Sequence, residues 1–237
     1  RYEAEVVPWL WFLTRTADCR IFQEKSVPEI IEQIFGDLGF SDYEVSEIQE
    51  DHRKWEYCVQ YRETDFNFVS RLMEQEGIFY YFRHEEQKHI MVLADQKGAY
   101  KDLPEKTVEY EYSYGSRLTE DAVIAWEHAF EYTPGRWTQT EYNFIDHPHR
   151  TAATPSKLMM QSKPSLVKLP KIEKYEVYDY PGEYDINKEG NDYTQVRMEE
   201  DETPHDQAHG SSTCKTFGVG GKFTFKVHDC EAEVGKT

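Results

Sequence analysis

Trp55, Tyr57, Val59 and Tyr61 stand at every second position of one short run. That period places four large side chains on one face of an extended chain, so the run is constrained to be a β-strand. Tyrosine pairs and ladders recur at Tyr80-Tyr81 and from Tyr175 to Tyr184, and the 17 Tyr, 13 Phe and 5 Trp push the sequence as a whole towards sheet. So many large side chains also exclude a disordered chain, which lacks the surface that drives burial. The ladders are expected to be core and cross-strand packing rather than a platform for sugars.

Two helices interrupt this pattern. Ser26-Val27-Pro28-Glu29 is a capping-box sequence, with Pro28 in the first turn, where a missing N–H costs little. Val27, Ile30, Ile31, Ile34, Phe35 and Leu38 follow at helical spacing, and Gly39 supplies the stop. A second helix is expected from near Thr64, with Phe68, Val69, Leu72 and Met73 on one face and its end at Gly77. Ile78–Arg83 and Ile90–Ala94 flank a polar EEQK stretch and read as a hairpin. Beyond Asp95, Val108–Tyr114, Ala122–Tyr132, Trp137–Phe144, Ile172–Tyr180 and Lys222–His228 read as strands, some separated by Pro-Gly or Gly-Gly turns. Arg197–His209 is expected to be a charged helix and Asp146–Leu169 a long surface loop. Val6–Leu13, apolar and aromatic, reads as a buried strand, and its opening at Arg1 suggests a piece of a longer protein. The fold class is α+β and β-rich: an antiparallel β-barrel plus a small two-helix α/β unit.

The charge narrows function. With 27 Lys+Arg against 45 Asp+Glu, the formal net charge of −18 excludes a general nucleic-acid binder, which needs basic residues to replace phosphate counterions. No stretch approaches the roughly 18 apolar residues that span a bilayer, so no stable membrane insertion is expected. Cys19, Cys58, Cys214 and Cys230 lack any C-x-x-C pairing and favour free thiols in a reducing compartment, Cys214–Cys230 being the one pair to check.

No catalytic, cofactor or metal residues stand out. His205 and His209 have the i, i+4 spacing of a zinc helix, but Asp206 takes the place of the required Glu, and no third ligand is evident. His147-Pro148-His149 reads as an exposed turn. Gly210-Ser211-Ser212 lacks the glycine of a nucleophile elbow, and Gly218–Gly221 lacks the Lys-Ser/Thr ending of a phosphate loop, leaving a strand-flanking turn. Among so many carboxylates, a pair suited to glycan hydrolysis is always available, so the count points to nothing.

VPWLWFLTR, CRIFQEKSVPEIIEQIFGDLGF, EYCVQYRETDFNFVSRLMEQEGIFYYFRHE and HIMVLAD, followed by WTQTEYNFIDHP, YDYPGEY, HGSSTCKTFGVGGKFTF and KVH, occur in that order along the chain. Together they resemble the N-terminal region of VgrG (valine-glycine repeat protein G), the spike protein of bacterial type VI secretion, over nearly the whole length. That region is similar to the hub of contractile phage baseplates. The resemblance implies a homotrimer in which two tail-tube-like β-barrels per subunit form a pseudo-sixfold ring joining the hexameric tube protein Hcp to a threefold needle. Residues 1–19 would then be the last strand of a largely missing first barrel and a linker, 20–100 an α+β insertion, and 101–237 the second barrel, short of one strand after His228. The implied partners are further copies of the chain, Hcp, the protein's own C-terminal spike domains, and effector or adaptor proteins. Assembly would occur in the bacterial cytoplasm, with ejection into a target cell or the medium. A phage or phage-like hub is the nearest alternative and a carboxylate-based cell-wall hydrolase the rival from another class. Trp126, Trp137 and Phe144 are the expected interface aromatics. The acidic runs Glu199–Glu202 and Glu105–Glu111 should lie away from subunit contacts, because like charges at a dry interface are costly.

Overall fold

The computed structural model describes residues 2–111, 121–143 and 157–236. The fold is α+β and strand-rich, and it divides into two compact units. The first holds Arg1–Thr107, Thr216–Phe225 and Gly235–Thr237; the second holds Val108–Lys215 and Lys226–Val234.

In the first unit the capping signals act as the sequence implies. Helix α1 spans Val27–Asp37, with Ser26 and Glu29 forming both halves of the capping box. Helix α2 spans Asp65–Gln75; the Thr64 hydroxyl accepts from Asn67 N, and Gly77 takes a positive φ just past its end. Strands β1 (Ala17–Lys25) and β3 (Trp55–Thr64) pair antiparallel as a two-stranded ribbon. The predicted hairpin is β4 (Phe79–His84) with β5 (His89–Ala94), and β2 (Tyr43–Glu47) adds to β5 in parallel. Ile30, Ile34, Phe35, Phe68, Leu72 and Met91 are fully or almost fully buried in one shared core.

The run Val6–Leu13 is not a strand. Pro8 is the N-cap of a 3-10 helix over Trp9–Arg15, and Trp9, Leu10 and Leu13 are its buried residues. Positions i, i+1 and i+4 are a helical pattern, hidden in the sequence because the half-buried Trp11 and the exposed Phe12 are apolar too. Trp9 stacks on Phe40 at 4.7 Å and meets Phe35 edge-on at 4.9 Å, which anchors this segment in the core.

In the second unit, β8 (Arg136–Tyr142) lies between β10 (Glu176–Asp179), parallel to it, and β9 (Lys157–Ser162), antiparallel. Helix α3 (Asn187–Glu202) packs on β8 and β9, with Tyr184 and Tyr193 buried against Leu158. The Tyr184 hydroxyl donates to the carbonyls of Gln139 (2.8 Å) and Leu158 (3.2 Å), and burial pushes its pKa up to about 12. Another sheet has the order β11-β7-β6-β12, formed by β6 (Lys101–Tyr110), β7 (Ala122–Phe130), β11 (Asp206–Ser212) and β12 (Gly221–Val227). Strands β6 and β12 contribute residues to both units.

Several expectations are corrected here. Among the described residues no sheet closes into a barrel, and β2–β5, β6–β7 and β8–β10 pair in parallel, so every sheet but the β1–β3 ribbon is mixed rather than antiparallel. The expected loop Asp146–Leu169 contains β9, where Leu158 and Met160 alternate towards Tyr184; residues 146–156 lie outside the described residues. Ile172–Tyr180 is a 3-10 turn followed by the short β10, with Lys171 at φ 64° before it. The strand expected over Val108–Tyr114 begins earlier, at Lys101, and residues 112–114 also lie outside the described residues. The charged helix starts at Asn187 and stops at Glu202, just ahead of Pro204, which cannot continue it. Its early half escapes notice because Ile186 provides no side-chain cap and the buried positions include Gly190 and Thr194.

Candidate functional site

The sequence's candidates for chemistry do not assemble. His205 sits in the 3-10 turn Thr203–His205, bonded through Nδ1 to Glu131 O at 2.9 Å, whereas His209 lies on β11. The pair therefore never shares a helix face. His147 and His149 lie outside the described residues. No group of three His, Cys, Asp or Glu side chains among the described residues is arranged to hold a metal ion. Ser212 Oγ donates to Ala122 O at 3.1 Å and accepts from Cys214 N at 2.9 Å, a backbone role. Gly218–Gly221 is the strand-flanking turn, closed by Gly221 N donating to Gly218 O at 3.2 Å. Gly220 takes φ +82° there, and a Cβ on it would strike the Tyr81 ring. All four cysteines are free thiols, Cys214 buried and Cys230 exposed.

In each unit one histidine is tied to a pair of carboxylates. In the first unit His52 joins the C-cap of α2 to the end of β5. Its Nδ1 lies 2.8 Å from Glu76 Oε2, and its Nε2 lies 3.4 Å from Asp95 Oδ2, an ion-pair distance without hydrogen-bond alignment. Burial disfavours the charged imidazole, yet the two carboxylates outweigh it and raise the His52 pKa above its ordinary value. Asp95 also accepts from Gln49 N and Glu50 N, at 3.0 and 2.8 Å.

In the second unit His128 is held in the same way. Its Nδ1 lies 2.6 Å from Asp206 Oδ1 and its Nε2 3.1 Å from Glu233 Oε2, while Trp126 Nε1 donates to that same Glu233 oxygen at 3.2 Å. The bond to Asp206 is the larger cause of a raised His128 pKa, and the bond to Glu233 adds to it. His128, with both ring nitrogens bonded to carboxylates, and His52, with one bonded and the other near a second carboxylate, are each suited to carry a proton.

What remains is surface. In the first unit Tyr57, Val59 and Tyr61 of β3 are exposed, together with Ile21 of β1, and the buried side of the ribbon is the other one, carrying Phe22, Cys58 and Gln60. The Tyr57–Tyr61 ladder is therefore not core, although its members do sit across the ribbon from Gln23, Ile21 and Cys19. Parity along the strand is as read, but the polar Gln60 wins the inner face because Asp65 and Glu63 O accept its amide at 2.7 and 3.1 Å. The signal was present in sequence: Arg20 and Gln60 at inward-facing parity, with Asp65 at the helix start just beyond the strand able to satisfy both. In the second unit Phe130, Tyr132 and Tyr175 are exposed, with the last two in edge contact at 5.5 Å. Trp126 and Trp137, singled out as interface residues, are only partly exposed, and Phe144 lies outside the described residues.

Similarity to known proteins gives these surfaces a context. The phage tail baseplate hub (GPD) family matches residues 1–237. The type VI secretion system spike protein VgrG1a of Pseudomonas aeruginosa is 42% identical over 228 residues, which cover 94% of this chain and 33% of that protein. The chain thus spans about a third of the length of this curated relative. Among solved structures, a 43 kDa prophage MuSo2 tail protein from Shewanella oneidensis aligns with TM-score 0.62 at 12% identity, covering 97% of this chain and 65% of that one. The E. coli c3393 protein, a type VI secretion component with structural similarity to phage T4 tail proteins gp27 and gp5, aligns with TM-score 0.59 at 18% identity, over 94% of this chain and 45% of that one. At such identities the two structures speak to fold alone.

Proposed function

This chain belongs to the phage tail baseplate hub family, and on that premise we propose that it is a structural part of a type VI secretion spike. It works as a trimeric hub that seats a hexameric tube protein of the Hcp kind on one side and continues into the threefold puncturing needle on the other. Its partners are two further copies of itself, the tube protein, its own C-terminal spike domains, and the effectors or adaptors they carry. It is assembled inside the bacterium and expelled with the tube. It has no reaction of its own, and delivery relies on shape and burial across large interfaces. Residues 20–100 serve as the α+β insertion, and 101–237 as tail-tube-like wall whose barrel is completed only in the assembly.

One observation carries this reading: similarity to a spike protein extends along nearly the entire chain rather than over one motif. A hub of a phage-like particle uses the same physics and is the second reading, since the matching family is that of phage tail baseplate hubs.

The test is complementation. In a bacterium lacking its own matching spike gene, the complete protein is expected to restore release of tube protein and effector into the medium. Stable expression without any such release would contradict the secretion reading.

A further inference from the structure

The 3-10 helix Trp9–Arg15 is fastened to the first unit at both ends, by bonds of two different kinds. Beyond its last residue the Thr16 hydroxyl donates to Asp65 Oδ2 at 2.7 Å, and Asp65 N donates to Thr16 O at 3.0 Å. At its start Pro8 is the N-cap and makes no side-chain cap bond, so the first amide needs an acceptor from elsewhere. That acceptor comes from β5: Trp9 N donates to His89 Nε2 at 3.0 Å, 80 positions away in sequence.

The bond fixes the state of the imidazole. A backbone N–H can only donate, so Nε2 is the unprotonated nitrogen of a neutral ring. Protonation makes donors of both ring nitrogens, which removes the bond and turns a cation towards the freed N–H. The surroundings do nothing to compensate the added charge. From β4 the ring meets Phe82 at 5.4 Å and a second imidazole, its cross-strand partner His84, at 6.1 Å. Lys88, next in the chain, is occupied with Asp42 and Glu85, each at 3.9 Å, and Arg83 with Glu44. Helix α1, which meets Trp9 through Phe35, carries Glu29, Glu32 and Asp37; Glu3 and Glu5 precede the 3-10 helix, and Arg15 at its end stacks on Trp11. Among the described residues no carboxylate forms an ion pair with His89, in contrast to His52 and His128.

We propose that the bond between Trp9 N and His89 is an acid-sensitive latch, whose protonation frees the start of the 3-10 helix while the core of the unit stays closed. The closed form requires the neutral ring, so the latch is fastened at higher pH and loosens as pH falls through the histidine range, about pH 8 to 5. The His52 contact in the same unit has the opposite sign, because its bonds to Glu76 and Asp95 are made by a protonated ring and mild acid leaves them in place. The Trp9 ring, packed on Phe35 and Phe40, opposes release, and Asp65 still holds the other end. Acid therefore raises the population of a local opening and does not unfold the unit. The inference is independent of the hub reading, since it rests on one bond inside one unit.

Hydrogen exchange read by mass spectrometry on the complete protein tests the latch, with rates corrected for the intrinsic effect of pH. Peptides covering residues 10–15 are compared with those of α1 at about pH 7.5 and about pH 5.5. In the parent, protection of 10–15 should fall about tenfold between the two, while α1 keeps its own. His89→Gln cannot titrate, so protection of 10–15 in that variant, whatever its level, should be the same at both pH values. His84→Asn, at an exposed position, removes the neighbouring imidazole and leaves the latch, so the fall should persist. Constant protection in the parent overturns the proposal without any variant having to fold. A fall that survives His89→Gln, or that vanishes in His84→Asn, assigns the effect to another group and overturns it. A fall shared by α1 shows the whole unit opening, and overturns it as well.

Discussion

Replacing Asp65 with alanine is expected to destabilise the first unit by about 3–5 kcal/mol, the usual cost of removing one partner from a buried charged network. Asp65 is the first residue of α2, and its side chain is almost fully buried. Its Oδ2 accepts from the Thr16 hydroxyl at 2.7 Å, and its Oδ1 accepts from Gln60 Nε2 at 2.7 Å and from the Arg20 guanidinium. Arg20 Nε in turn donates to Gln60 Oε1 at 2.8 Å. One carboxylate therefore joins the end of the N-terminal 3-10 helix, both strands of the ribbon and α2. Alanine leaves a wholly buried Gln60 without one of its acceptors and strips a favourable negative charge from a helix start. Urea denaturation of Asp65→Ala, Arg20→Ala and the double variant measures the coupling. A loss below about 1 kcal/mol, within the range of surface ion pairs, would show that the network does not join these elements.

Glu202→Gln should have the next largest effect, about 2–4 kcal/mol, because hydrogen bonds to a charged group are worth more than neutral ones. Glu202 is 3% exposed at the last turn of α3, where the helix dipole disfavours a negative charge. Its carboxylate accepts from Ser165 N and Ser165 Oγ, both at 3.0 Å, from Val167 N at 2.7 Å, and from Leu166 N. Burial pushes the Glu202 pKa up, but the three backbone donors and the hydroxyl more than offset this and hold it below 4.5. The folded pKa therefore lies below the unfolded one. The stability it supplies is complete above pH 4.5 and is lost as pH falls through the folded value. Denaturation midpoints across that acid range should fall less steeply in Glu202→Gln than in the parent. Parallel curves would show that Glu202 does not hold the 165–167 segment.

The same residue marks a limit of reading from sequence. In Glu199–Glu202 a run of four acids reads as a solvated face, and Glu199 and Glu200 are indeed exposed. Glu202 is not, because its donors lie in Ser165–Val167, far off in sequence. By contrast, α1 and α2 were legible almost to the residue, since caps, stripe and glycine stop are all local. Strand β11 was not: Asp206–Ser212 is exposed throughout where it pairs with β7, leaving no apolar alternation to read. The outer ribbon misled for a different reason. Tyrosine is at home in a core or at an interface, and only the Arg20–Gln60–Asp65 network decides which face turns inward.

The central claim is that this chain is part of a threefold hub, and the mass of the complete protein in solution tests it most directly. Sedimentation equilibrium at micromolar concentration should give three times the mass of one chain. A single-chain mass at that concentration, with the protein folded, would contradict the account.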